Sequence, residues 1–341
     1  MMLSSRALSS RRSRRSRRSR RSRRVFSVTA GLLTTAVLAV PGTGAAEADV
    51  TYVPWSSYLS GWTDAYVPSS ANDCVAGRQT CVNQTLKELN HVLRNSGTGC
   101  SHESVFALAY TRITQTYAWS REIPGYYHDV PFANHQDAVF AKYYTDAWTN
   151  WSQGNRAAVP QAWLIAFDAV AGHTVNGTGD LLLGLNAHIN RDLPYVVASV
   201  GLVAPDGSSR KPDYDKVEQF LADAAKPLIA EAAQRFDPSM DDADDPLDAT
   251  YTLVMQYISA ARENAWRNAE ALVNAPTPED RAVVEARIES EATATARAIL
   301  ASSRYVAPLT SSKPRDRYCA VDNGDQAPLQ YPFGTPAPYR T

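Results

Sequence analysis

Residues 181–195 read LLLGLNAHINRDLPY. Within seven residues of this otherwise apolar stretch, Asn186, His188, Asn190 and Asp192 supply four hydrogen-bonding side chains. Burying that many polar groups is costly unless each finds a partner. His188 and Asp192 are four positions apart, so on a helix they lie one above the other on the same face. Two chemistries suit that register. The imidazole and carboxylate can converge on zinc or another divalent metal. Alternatively, the carboxylate can fix the imidazole tautomer and leave the second ring nitrogen as a general base. The bland reading is a buried pair that satisfies itself and ties helices together. Asn186 and Asn190, on a neighbouring face, would complete a polar site or cap backbone disturbed by Pro194. Gly184, one turn before His188, lets another group approach closely. Pro194 is expected to end or kink the helix, because it cannot donate to the preceding turn.

Asp137 is the other carboxylate placed to do chemistry. It shares a helical stripe with Ala141 and Tyr144 and so should face inward, unless it merely stabilises a helix start. His135, two residues away, points elsewhere. His128, Asp129 and His173 fall in or beside loops, and His91 and His102 look peripheral. Arg262 and Trp266, one turn apart, could clamp an anion, although an arginine packed on the indole is the commoner outcome. The run DDADDPLD at 241–248 lacks the glycine of a tight calcium loop and reads as a solvated loop. There is no Gly-rich phosphate loop, no G-x-S-x-G turn and no H-E-x-x-H. Serine hydrolases, nucleotide enzymes and zincin proteases therefore have no motif to rest on.

The elements that must hold these residues are helical. Val82, Leu86, Leu89 and Leu93 form a stripe from about Thr80, with Gly97 as a stop. Further helices are expected from Ser101 to beyond Tyr117, at about 133–151, from Pro160, across the quoted stretch at 181–193, and at about 212–236, 247–274 and 278–303. Thr277, Pro278 and Asp280 form the cap of the last. Strand-type alternation is scarce. The fold class is all-α, a single-domain multi-helix bundle over 49–304. An irregular aromatic lead-in with Trp55, Tyr58, Trp62 and Tyr66 precedes it, and an extended Pro-rich arm at 305–341 follows.

Residues 1–48 read as a signal peptide. A Ser-Arg arm, the short apolar run VTAGLLTTAVLAV and the small-residue site Ala46-Glu47-Ala48 follow in the required order. Ser22-Arg23-Arg24-Val25-Phe26 resembles the twin-arginine export consensus, which implies a protein exported after folding. The expected location is secreted, with no transmembrane anchor, because the apolar run is too short. The chain has 34 basic and 35 acidic residues; the leader removes 11 Arg and Glu47, leaving 23 against 34. Such an acidic surface repels nucleic acid. Cys74, Cys81, Cys100 and Cys319 suggest two disulfides in an exported protein, with three pairings open.

NAHINRDLP, the DAVFAKYY of Asp137–Tyr144, Ala162-Trp163 and the AREN-AW of 261–266 together resemble domain-of-unknown-function family 5995. That likeness runs in order across about 100–300 and implies kinship without an assigned chemistry. A second resemblance concerns one helix. Gly184-x-x-x-His188-x-x-x-Asp192-x-Pro194 is similar to the metal-binding helix of zinc-dependent phospholipases C and P1-type nucleases, which are exported all-α proteins. It implies zinc ligation by His188 and Asp192. The proline stands two residues early, and Tyr195-Val196-Val197 replaces the expected histidine, so the implied site is reduced to one metal. Two functions follow. One is a metal-assisted hydrolase of a small-molecule or phosphoester substrate, using His188, Asp192, Asn186, Asn190 and Asp137. The other is a secreted binding or envelope-associated protein whose polar helix is structural.

Overall fold

The computed structural model describes residues 63–95, 103–240, 249–306 and 315–322. The leader, Trp55, Tyr58, Trp62, Cys100, His102, the acidic run and most of the Pro-rich arm lie outside the described residues. The described chain is all-α, with no β-strand. The helices are α1 (Gln79–Asn95), α2 (Glu103–Ser120), α3 (Val130–Ser152), α4 (Gln161–Ala171), α5 (Gly177–Leu185), α6 (Leu193–Val200), α7 (Lys211–Arg235), α8 (Ala249–Asn274), α9 (Pro278–Ser302) and α10 (Arg315–Asp322).

Local chemistry explains the ends that matter. Asp129 caps α3, its side chain accepting from Phe132 N, and Pro131 sits in the first turn, where a missing N–H costs nothing. The helix thus begins three residues before the expected 133. Asp137 is therefore set two turns in, too deep to act as a first-turn partner of the dipole. Thr277 caps α9 as expected, accepting from Asp280 N. α10 falls inside the Pro-rich arm; its Cys319 is buried and disulfide-bonded, and Tyr318 Oη donates to Gln234 O of α7 at 2.7 Å. Cys74 and Cys81 form the other described disulfide, closing the loop that leads into α1.

The quoted stretch departs from expectation. Pro194 does not end the helix. α5 and α6 are joined without a break by Asn186–Asp192, a stretch of π-helix in which Leu193 N–H reaches back five residues to His188 O. A π turn is wider than an α turn and is rare, occurring mostly as single turns at functional positions. Here it precedes Pro194, which enters α6 in its first turn, where no donor is required. The π stretch sits at the centre of the bundle, touching α3, α4, α8 and α9 as well as its own flanks. The main core gathers around it from α2, α3, α4, α5 and α9, with Trp163, Tyr144, Leu108, Leu183 and Ile288 fully buried.

Candidate functional site

His188 and Asp192 meet as their spacing requires. His188 Nδ1 lies 3.3 Å from Asp192 Oδ2, and both side chains are almost wholly buried, 4% and 1% exposed. Asp192 has further partners. Trp163 Nε1 donates to the same Oδ2 at 2.8 Å, and Arg191 donates to Oδ1 at 3.2 Å. Arg191, itself buried, donates through Nε to Glu289 of α9 at 2.7 Å and lies over the Tyr195 ring. Both oxygens of the carboxylate are therefore engaged. The His188 ring is packed as tightly as its partner. Phe140 stacks on it at 3.5 Å, and Tyr110 meets it edge-on at 4.5 Å. Phe106 reaches it because Gly184 leaves space: a Cβ there would collide with the Phe106 ring.

The two asparagines do structural work. Asn186 Nδ2 donates to Ala292 O of α9 at 2.9 Å, and Asn190 Nδ2 donates to Asn186 Oδ1 and to Tyr257 Oη of α8. They pin the π stretch to its neighbours; no described bond ties either side chain to the backbone at Pro194.

One atom of the cluster is left over. His188 Nε2 is buried with no hydrogen-bond partner. The residue lines a cavity of about 170 Å³ between α2, α3, the π stretch, α7 and α8. The lining is overwhelmingly apolar and aromatic, including Phe106, Ile113, Phe140, Leu185 and Phe220. Four other lining residues carry a buried polar atom without a hydrogen bond: Tyr110 Oη, Thr114 Oγ1, Asp137 Oδ2 and Arg262 Nε, the last held in an ion pair with Glu218 Oε1 at 3.6 Å. Native interiors leave few such groups unpaired, so the four besides Arg262 call for an explanation. Asp137 is brought to the site as its stripe implied. His135 turns away from it, with its two nitrogens 2.9 Å from Cys74 O and Asp64 O, clasping the disulfide loop.

Burial sets the electrostatics of this wall. Desolvation pushes the Asp137 carboxyl from 3.8 up to about 7, against the opposing pull of Arg121. It holds the His188 imidazole below its ordinary 6.5, although Asp192 works the other way. The Tyr110 hydroxyl is pushed well above the ordinary range by desolvation, with Asp137 and Asp192 adding to the effect. Near neutral pH the imidazole and phenol are uncharged, and the carboxyl is close to balance between its two forms.

The metal reading fits the geometry poorly. Nδ1 and Oδ2 are turned toward each other at hydrogen-bond distance rather than toward a shared ion, and both Asp192 oxygens are already engaged. Among the described residues, no group of three or more His, Cys, Asp or Glu side chains is placed to hold a metal ion. Arg262 does not stack on Trp266. It lies over Tyr214 at 4.2 Å and donates to Tyr214 O, while Trp266 Nε1 donates to Glu270. His173 is exposed in its loop.

Tyr110 and Thr114 were not legible as site residues. They lie four apart in α2, but a Tyr and a Thr inside an apolar helix carry no motif. Their register with Phe106 was the available signal.

A profile describing a family of unknown function, DUF5995, matches residues 82–302. The chain belongs to that family. The matched region contains the π stretch, the cavity wall and every unpartnered atom named above. No curated protein and no solved structure matches the chain.

Proposed function

We propose that this DUF5995 protein binds an apolar small molecule in the chamber between α2, α3, the π stretch, α7 and α8. One observation carries the reading: four unpartnered polar atoms, Tyr110 Oη, Thr114 Oγ1, Asp137 Oδ2 and His188 Nε2, share one apolar cavity. Ligand sites are mostly apolar hollows with a few placed polar groups, and this arrangement has both parts. An internal void with no guest would lose dispersion contacts, and only water could then pair those four atoms. The half-buried apolar residues Leu221, Ala225, Ile229, Val254 and Met255 mark the entry, where α7 and α8 touch only lightly. We place the protein outside the cell. The leader supports this, as do the disulfides at Cys74–Cys81 and Cys319. Among the described residues no helix is long and apolar enough to cross a membrane.

Binding is tested with Nile red, whose fluorescence reports an apolar site. The full chain should bind it saturably, and Ala109→Trp, which fills the chamber from α2, should weaken binding at least tenfold while the helical circular dichroism is kept. Saturable binding untouched by Ala109→Trp would place the dye elsewhere and sink the reading.

A second reading makes His188 a general base. Its support is that Asp192 engages Nδ1 and leaves Nε2 without a partner on a residue that lines the cavity, the division of labour that base catalysis requires. A phosphoester is a poor substrate for this chamber. The lining offers an anion two carboxylates, Asp137 and Asp213, against the one guanidinium of Arg262, already engaged with Tyr214 and Glu218. A neutral ester suits the wall better. Hydrolysis of a neutral ester abolished by His188→Ala, and only weakened by Asp192→Asn, would favour this reading.

A further inference from the structure

The Asp192 contacts decide which hydrogen bonds the chamber can offer. With Trp163 and Arg191 donating to it, Asp192 is held as an acceptor toward His188. The imidazole proton therefore sits on Nδ1, and burial keeps the ring neutral. Nε2 is then a lone pair with no donor, buried on a side chain that lines the cavity. Beside it stand groups that can donate. The Tyr110 ring is 4.5 Å away, centroid to centroid, and Thr114 lies one turn further along α2. Both hydroxyls are unpartnered.

A guest that pairs His188 Nε2 and one of the two α2 hydroxyls must donate one hydrogen bond and accept another. A hydrocarbon does neither. A ketone or ester only accepts, which leaves Nε2 stranded. A carboxylate brings negative charge against Asp137 and Asp213, and against the Nε2 lone pair. A hydroxyl does both tasks through a single oxygen.

We propose that the chamber receives an apolar alcohol, its O–H donating to His188 Nε2 and its oxygen accepting from Tyr110 or Thr114. The hydrocarbon body then extends between α7 and α8 toward Leu221 and Met255. The lining face of α2 runs from Phe106 to Tyr117, about 16 Å at about 1.5 Å per residue, which suits a medium-length chain. The cavity volume of about 170 Å³ is slightly above that of an engineered cavity known to hold benzene, about 150 Å³, so it takes the hydroxyl end and the first carbons, and the rest of the chain lies out between α7 and α8. This inference rests on the chamber reading above.

Four probes of equal chain length separate the possibilities: 1-decanol, decane, decanoic acid and decylamine, each displacing Nile red from the full chain at pH 7.5. Decane is the most hydrophobic of the four and wins any contest of burial alone. Decanol is expected to displace the dye at least about tenfold more tightly than decane, the scale of stranding one buried polar group. Tyr110→Phe, which removes only an unpartnered oxygen, should cut that preference severalfold without weakening decane. His188→Phe should abolish it. Decane matching or beating decanol would overturn the alcohol proposal and leave the chamber intact. Decylamine or decanoic acid binding best would overturn it in favour of a charged head. Displacement by none of the four, with Nile red bound and sensitive to Ala109→Trp, would also overturn it. Failure of Nile red itself would instead remove the chamber reading beneath it.

Discussion

Asp137→Asn should make the protein more stable at pH 8 and leave it unchanged at pH 4. Asp137 lines the chamber, and its Oδ2 is buried without a partner. Desolvation pushes the carboxyl from 3.8 up to about 7. Between about pH 4 and pH 7 the folded protein holds this proton while the unfolded chain has released it. Stability therefore falls as pH rises through that window and levels off above it. Taking about 1.4 kcal/mol per pKa unit, ionised Asp137 costs at most about 4 kcal/mol, less whatever water in the chamber recovers. Asparagine has nearly the same shape and no proton to lose, so the substitution removes this cost.

The measurement is urea unfolding of wild type and Asp137→Asn at pH 4, 5, 6, 7 and 8. His188 titrates in the opposite sense. Its pKa is lowered by burial, so the unfolded chain takes up the proton first as pH falls below about 6.5, and stability is lost on acidification. That contribution is present in both proteins and cancels in the difference. The expected difference is near zero at pH 4 and rises to between about 2 and 4 kcal/mol in favour of the variant at pH 8. A difference that does not vary with pH, or a variant less stable at pH 8, would refute the assignment of an unpaired, desolvated carboxyl to this wall.

Two further outcomes follow from the contacts of the π stretch. Asp192→Leu strands Trp163 Nε1 and His188 Nδ1, takes one acceptor from Arg191, and should cost about 3–5 kcal/mol in urea unfolding; adding His188→Leu should recover little of this, because Trp163 Nε1 stays stranded and Arg191 still lacks that acceptor. A double variant as stable as wild type would mean that the pair is self-contained and that Trp163 and Arg191 do not depend on it. Gly184→Ala places a Cβ into the Phe106 ring and should cost about 1–3 kcal/mol while also weakening Nile red binding, since Phe106 lines the chamber. Loss of stability without any change in dye binding would show that the ring can shift without disturbing the cavity.

Periodicity carried most of the fold. The stripe from Val82 to Leu93, the Thr277-Pro278-Asp280 cap and the placement of α7 and α9 all follow from 3.6-residue spacing and terminal chemistry, which are local properties. The start of α3 was misplaced because Pro131 reads equally well as the end of a loop or as a first-turn residue, and only the Asp129 cap decides between them. The His188–Asp192 pair was legible because i and i+4 remain neighbours in either kind of helix. The π turn was not, since nothing in Asn186–Asp192 distinguishes a wider turn from a broken one. Nor could the chamber be read. It is assembled from five segments far apart in sequence, and its Tyr110 and Thr114 become notable only when their hydroxyls are found without partners.

The distribution of satisfied and unsatisfied groups divides the centre of this bundle into two sides. On one side, Asn186 reaches α9, Asn190 reaches α8, Arg191 reaches Glu289, and Asp192 accepts from Trp163 and Arg191. Every one of these polar groups holds a neighbouring helix, and removing them would cost folding free energy. On the other side, His188 Nε2, Tyr110 Oη, Thr114 Oγ1 and Asp137 Oδ2 hold nothing. For Tyr110, Thr114 and Asp137 the described bonds give no folding reason for a polar atom there, since phenylalanine, valine or leucine at those positions would pack a dry core at no desolvation cost. The same helix that is stapled to α8 and α9 thus carries an unspent acceptor on a residue that lines the cavity between α2, α3 and α7. A scaffold fixed on one face and unsatisfied on the other is what a binding wall requires, because its groups are already in position when a guest arrives and lose little freedom on binding it.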